Sequence, residues 1–303
     1  LFIVLSIFTG YSYPDLKSVL DAQAGQSVID IPYGIYEMNT ASGTHYTFSG
    51  LKNVTVNGNG SLIICKTPAR AFYVTNCENF TIKDLTIDYD PLCFTQGTIT
   101  QVSADCKSWT VRIHDGYATS NISISTKILL YDGVTKLVKK NLFNIHGSNY
   151  ILTQSTSDPA LLNFTITRSM LANSVSVGEY VVMSLNTPAG MDTHTMYITS
   201  CKNFAAKNIT IYGSNMFSMI EHDCDNSLYL NCVITRNPND PTKSVPRLRS
   251  GNGDGIHSKH AVRGPRVENC TVGFNGDDCI AINGRFYPVY KVDEANKYIY
   301  ILS

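Results

Sequence analysis

A short phrase recurs down this chain: an asparagine, an apolar or aromatic residue, then a few alternating β-branched residues. It stands as Leu51-Lys-Asn53-Val54-Thr-Val56, as Cys77-Glu-Asn79-Phe80-Thr-Ile82 and as Cys201-Lys-Asn203-Phe204. It returns as Cys224-Asp-Asn226-Ser-Leu228 and as Val267-Glu-Asn269-Cys270-Thr-Val272. The step is 26 residues from Asn53 to Asn79 and 23 from Asn203 to Asn226. Strands this short cannot bury a face alone, but stacked at a fixed period they build one continuous core. Asparagine suits the corners of such a stack, because it tolerates a left-handed φ and its amide can hydrogen-bond to the equivalent residue above. The expected fold is all-β: a right-handed parallel β-helix.

The rest of the chain divides around that repeat. Residues 1–12 open with an apolar run, Leu1-Phe-Ile-Val-Leu-Ser-Ile-Phe8, which is too short to span a membrane and is expected to be a signal-peptide remnant. In 13–94, Leu16, Val19 and Leu20 give a helical face that Ser12 or Asp15 caps, and the first coils follow. A helix there would cover the open end of the solenoid. Between 95 and 186 the repeat gives way to longer alternating strands such as Trp109-Thr-Val-Arg-Ile113, expected to form an inserted antiparallel β-subdomain. Coils resume over 187–286, interrupted by an exposed loop from Asn237 to Gly251 with three prolines, and 287–303 starts a second insertion.

Composition narrows the partners. Formal net charge is zero and only 16% of residues are charged, which excludes the basic face that nucleic acid requires. An oligosaccharide or polysaccharide suits a neutral surface with 18 tyrosines better. Seven Asn-x-Ser/Thr sequons, at Asn53, Asn59, Asn79, Asn121, Asn163, Asn208 and Asn269, fit a secreted glycoprotein. The nine cysteines include no CxxC pair, so a zinc site of that kind is not expected. They read mostly as small buried apolar groups in internal stacks, with room for one or two disulfides.

The chemistry concentrates in Asn252-Gly-Asp254-Gly-Ile-His257 and Asn275-Gly-Asp277-Asp278-Cys279-Ile-Ala-Ile-Asn283. Asp254 and Asp277 are 23 residues apart, so one coil per period would set them on neighbouring strands roughly 5 Å apart. Gly253 and Gly276 would allow a tight bend or close approach. Crowded carboxyls resist joint ionisation, so one can stay protonated and serve as acid while another acts as base. That is the equipment of glycoside hydrolysis. We expect Asp254 to be the general acid and Asp277 with Asp278 the base pair. His257, Glu221, His222, Arg263, Asn283 and Arg285 are the expected sugar contacts, and His194 and His260 are expected at the surface or a corner. No cofactor or metal is required. Two other readings stay open: a lyase using Ca²⁺ and a basic residue on the same scaffold, and a glycan-binding β-helix without turnover.

These motifs resemble the pectin-lyase-like β-helix hydrolases. Asn252-Gly-Asp254-Gly-Ile256 with Gly276-Asp-Asp278-Cys-Ile-Ala-Ile282 is similar to the NTDG and GDDC signatures of the polygalacturonases, glycoside hydrolase family 28. The resemblance to glycoside hydrolase family 110, exo-acting α-1,3-galactosidases, is greater. It rests on Asp254-Gly-Ile-His257, Arg263-Gly264, Val267-Glu-Asn-Cys270 and Asp277-Asp278 before Ile282-Asn283-Gly284. It implies an inverting mechanism, carboxylates at Asp254, Asp277 and Asp278, and removal of terminal α-linked galactose.

Overall fold

The computed structural model describes residues 13–41, 43–123, 127–140, 145, 147–171, 173–187, 194–284 and 288–301. The apolar run at 1–12 and Arg285 lie outside the described residues. Two parallel sheets carry the repeat. The first joins Val28–Asp30, Lys52–Cys65, Glu78–Tyr89, Ala205–Ile211, Leu228–Leu230 and Arg266–Glu268 in spatial order. The second, here the site sheet, joins Thr44–Ser49, Arg70–Thr75, Met196–Thr199, Met219–His222, Ile256–Lys259 and Ile280–Asn283. Successive coils contribute one strand to each sheet, the arrangement of a parallel β-helix.

Each corner works as the sequence demands. Asn53, Asn79, Asn203 and Asn226 all adopt φ between 51° and 63°. Asn79 Nδ2 donates to Asn53 Oδ1, Asn203 Nδ2 to Asn79 Oδ1 and Asn226 Nδ2 to Asn203 Oδ1, each at 2.8 Å. A second ladder runs from Asn231 to Asn208 to Asp84. The rung between Asn79 and Asn203 spans 124 residues of chain, yet matches the others in length. A long excursion at a corner therefore leaves the stack intact.

That excursion contains a six-stranded antiparallel sheet, ordered Tyr150–Gln154, Leu161–Ile166, Ser108–Ile113, Phe94–Val102, Tyr180–Ser184 and Leu129–Tyr131. Its apolar faces form a core separate from that of the coils, centred on Trp109, Phe94 and Phe164. The helix Leu16–Asp21, whose first turn donates to the Asp15 carboxylate, buries Leu16 and Leu20 against the coil core. Residues Val289–Asp293 and Tyr298–Ile301 pair as an antiparallel two-stranded sheet. No helix among the described residues is long and apolar enough to cross a membrane.

Two expectations are corrected here. All nine cysteines are free thiols. Cys77, Cys201 and Cys224 form a buried column in which each Sγ reaches a backbone carbonyl, so stacking takes the place of a disulfide. The stretch from Asn237 to Gly251 is not wholly exposed either: Arg247, Leu248, Arg249 and Ser250 are buried. Arg247 pairs with Asp88 and Asp240, each at 2.7 Å, which compensates burial of its charge. The guanidinium of Arg249 lies over the Phe94 ring, so this segment also packs on the antiparallel sheet.

Candidate active site

The bridges Ser214 to Gly251 to Asn275 and the pairs Met219 to Ile256 to Ile280 share constant offsets. Counting along them puts Phe217, Asp254 and Asp278 in one column. The last coil step is therefore 24 residues, and Asp254 lies beside Asp278, not beside Asp277 as the 23-residue spacing suggested. Asp277 falls opposite Gly253. The backbone agrees: Gly255 N donates to Asp278 O at 2.9 Å. The two glycines permit the approach. A Cβ on Gly276 would lie 2.4 Å from the Asn252 carbonyl oxygen, and one on Gly253 would lie 2.8 Å from the Phe217 ring.

This register brings the three carboxylates together across two adjacent columns, with an oxygen of each within 4.8 Å of the others. Asp254 is 5% exposed, whereas Asp277 and Asp278 face solvent. The bend at 252–255 turns Asp254 toward His257, whose Nδ1 lies 2.6 Å from Asp254 Oδ2. Asn283 Nδ2 lies 3.1 Å from His257 Nε2. An amide N–H only donates, so Nε2 accepts and the ring proton sits on Nδ1, donated to Asp254. His257 thus orients the carboxyl rather than reaching for sugar hydroxyls, and Asn283 orients His257.

Asp277 has a partner that the sequence did not disclose. Lys127, from the excursion that carries the antiparallel sheet, places Nζ 3.1 Å from Asp277 Oδ2. Beside the carboxylates runs a groove of about 480 Å³ on the outer face of the site sheet. Phe217, Tyr197, His222, Lys259, His260 and Asn283 are among its walls. The His194 ring stacks on Phe217 at 4.9 Å and Phe217 on His257 at 4.6 Å, so three rings form a continuous wall. Burial, then the positive charges of Arg70 and Lys259, push the His194 imidazole down to about 4, so it is neutral near pH 7. His194 belongs to the groove, contrary to the expectation of a surface or corner position. His260 does sit at a corner, and also lines the groove.

Two expected sugar contacts are elsewhere. Glu221 is fully buried and points into the coil, because strand alternation pairs it with Ile198 and Ser258 on the inner face. Its carboxylate accepts from Ser258 Oγ at 2.6 Å and Tyr229 OH at 3.2 Å. Arg263 lies on the corner column, where its guanidinium grips Asp225 with contacts of 2.6 and 2.8 Å. That column reads Lys52, Glu78, Lys202, Asp225, Arg263, alternating in sign down the solenoid. His222 and Asn283 do face the groove, and Arg285 lies outside the described residues.

The glycosyl hydrolases family 28 model matches residues 184–289, the segment that carries Asp254, Asp277 and Asp278. The chain resembles the pectin-lyase-like glycoside hydrolases. Among curated proteins it is similar to alpha-1,3-galactosidase B of Bacteroides thetaiotaomicron, with 22% identity over 255 residues. That alignment covers 80% of this chain and 40% of the relative, so the chain spans less than half of that protein's length. Among solved structures it aligns with the A-module of the mannuronan C-5 epimerase AlgE4 of Azotobacter vinelandii. That alignment has 10% identity and a TM-score of 0.37, over 89% of this chain and 56% of the other.

Proposed function

We propose that this chain is a secreted glycoside hydrolase that removes terminal α-linked galactose from glycans. The observation that carries the reading is the carboxylate trio at the edge of a groove walled by rings. A sugar ring can lie along the wall of rings while its glycosidic oxygen meets the acids. Asp254, shielded from water and oriented by His257, is assigned as the acid that protonates the leaving oxygen. Asp277 and Asp278 face solvent, where a nucleophilic water arrives, and the contact with Lys127 holds the Asp277 side chain in place. The similarity to an α-1,3-galactosidase supports galactose as the sugar. The apolar start and the sequons support secretion.

Inversion, implied by the resemblance, requires room for a water between acid and base, typically about 6.5–9.5 Å. Carboxylate oxygens within 4.8 Å stand closer than that. Inversion therefore requires Asp277 and Asp278, both exposed, to part from Asp254 as substrate enters. A second reading, hydrolysis of a galacturonan, is favoured by the family 28 match and by Lys259 in the groove.

The test offers the protein an α-1,3-linked galactobiose and a polygalacturonate, and follows the first-formed anomer by proton NMR. Release of β-galactose from the disaccharide supports the reading and its inversion. Release of α-galactose keeps the hydrolase and overturns inversion. Cleavage of polygalacturonate alone transfers the site to the second reading. Turnover of neither by the folded protein refutes both.

A further inference from the structure

At the far rim of the groove, two consecutive coils place three metal-ligating side chains against one another. We infer that His222, Asp223 and His260 form a binding site for a divalent transition ion of the Zn²⁺ type. The inference does not depend on the hydrolase reading, because it concerns binding by residues that the carboxylate trio does not use.

The placement follows from register. His222 pairs with Lys259, so Asp223 and His260 occupy the next position, one above the other at the corner after the strand. Both adopt the left-handed backbone, at φ 51° and 56°. The same column in the preceding coils holds Asn76 and Ser200, both at φ 53°. Ligating side chains therefore enter this column only where the two coils meet at His222. A left-handed backbone suits glycine or asparagine better than histidine, so His260 holds its place at some conformational cost.

The distances fit the ion. Asp223 Oδ2 is 2.8 Å from His222 Nδ1, and Asp223 Oδ1 is 3.9 Å from His260 Nδ1. One ligand atom from each of the three residues lies within 4.8 Å of the other two. A tetrahedral Zn²⁺ with bonds of about 2.0–2.1 Å separates its ligands by roughly 3.4 Å. The two separations, one to each Asp223 oxygen, lie on either side of that value, and one atom of each residue is within 4.8 Å of the others, so side-chain rotations that turn the ligand atoms toward a common centre complete the set. The His222 and His260 rings meet edge to face, with centroids 4.8 Å apart. Two imidazoles and one carboxylate select Zn²⁺, Cu²⁺, Ni²⁺ or Fe²⁺ over Ca²⁺ or Mg²⁺, which prefer all-oxygen sets. Three protein ligands leave a fourth position open toward the groove for a water or a sugar oxygen. Among the described residues of the groove, Lys259 is a cation that such an ion must tolerate.

The experiment titrates the chelator-treated full chain with ZnCl₂ by isothermal calorimetry and with Co²⁺ by visible absorbance. Three variants are compared: His222→Gln, His260→Asn and Asp277→Asn. His260→Asn keeps a side chain that tolerates the left-handed backbone, and circular dichroism verifies folding of each. One equivalent should bind, with tetrahedral Co²⁺ bands. Affinity should fall more than about tenfold in His222→Gln and in His260→Asn, and should be unchanged in Asp277→Asn. Absence of binding in the wild type, or binding undiminished in both histidine variants, overturns the inference. Loss confined to Asp277→Asn would assign the ion to the acidic trio and also overturn it.

Discussion

Replacing Glu221 distinguishes a carboxylate that stabilises the coil from one that handles sugar. Its two oxygens are the acceptors for Tyr229 OH and Ser258 Oγ, and all three residues are fully buried. Burial and then the neighbouring Glu221 carboxylate push the Tyr229 phenol well above its ordinary range. Glu221→Ala leaves two buried hydroxyls without an acceptor, at about 1–3 kcal/mol each, and opens a cavity. Relief of the desolvation of a buried carboxylate offsets part of this. The expected net loss is about 2–4 kcal/mol. Glu221→Gln retains one carbonyl oxygen for the first hydroxyl and offers an N–H to the second, so it should cost about 1 kcal/mol. Urea unfolding, with equal slopes verifying a comparable transition, measures both. Turnover per folded molecule should persist in the glutamine variant. The reasoning fails if Glu221→Ala unfolds within about 0.5 kcal/mol of wild type while turnover collapses.

Other outcomes follow from the same geometry. Asn203 donates to Asn79 and accepts from Asn226, so Asn203→Gly should lose about 1–3 kcal/mol for two hydrogen bonds. Asn203→Ala should lose about 1 kcal/mol more, because alanine resists φ 53°; equal losses in urea unfolding would contradict the left-handed corner. The folded pKa of His194 is about 4, below its ordinary 6.5. Its contribution to stability is therefore full above pH 6.5 and is lost as pH falls toward 4, while the unfolded chain takes up the proton. His194→Phe should flatten that slope in part, leaving the share of His114, which burial also lowers to about 4. An unchanged slope would contradict the buried ring stack. Gly276→Ala forces its Cβ against the Asn252 carbonyl, and a shift of about 1 Å in Asp277 and Asp278 should cost on the order of 10²-fold in turnover. Unaltered kinetics would show that the close approach is dispensable.

The repeat was legible because its signal is local. A corner asparagine needs a left-handed φ whatever lies around it, and alternation of apolar residues fixes which face turns inward. The inward turn of Glu221 was hidden by the same rule, since a carboxylate on a strand is expected to face water. Only its register with Ile198 and Ser258 gives its direction. The column of Arg263 carried a readable signal: the residues before each corner alternate in sign from Lys52 through Asp225. The pairing of Asp254 with Asp278 turned on a single residue of coil length, beyond what an approximate period resolves. Lys127 approaches Asp277 from the excursion, just before the strand Leu129–Tyr131, and nothing in its own neighbourhood announces that contact.

The most direct test of the site measures turnover of an α-1,3-linked galactobiose by wild type and by Asp254→Asn, Asp277→Asn and Asp278→Asn, each verified as folded. The account predicts that every substitution lowers kcat at least about a hundredfold, because acid and base each lose their proton chemistry. Full turnover by any one of them, alongside an active wild type, would remove that carboxylate from the reaction and contradict the trio.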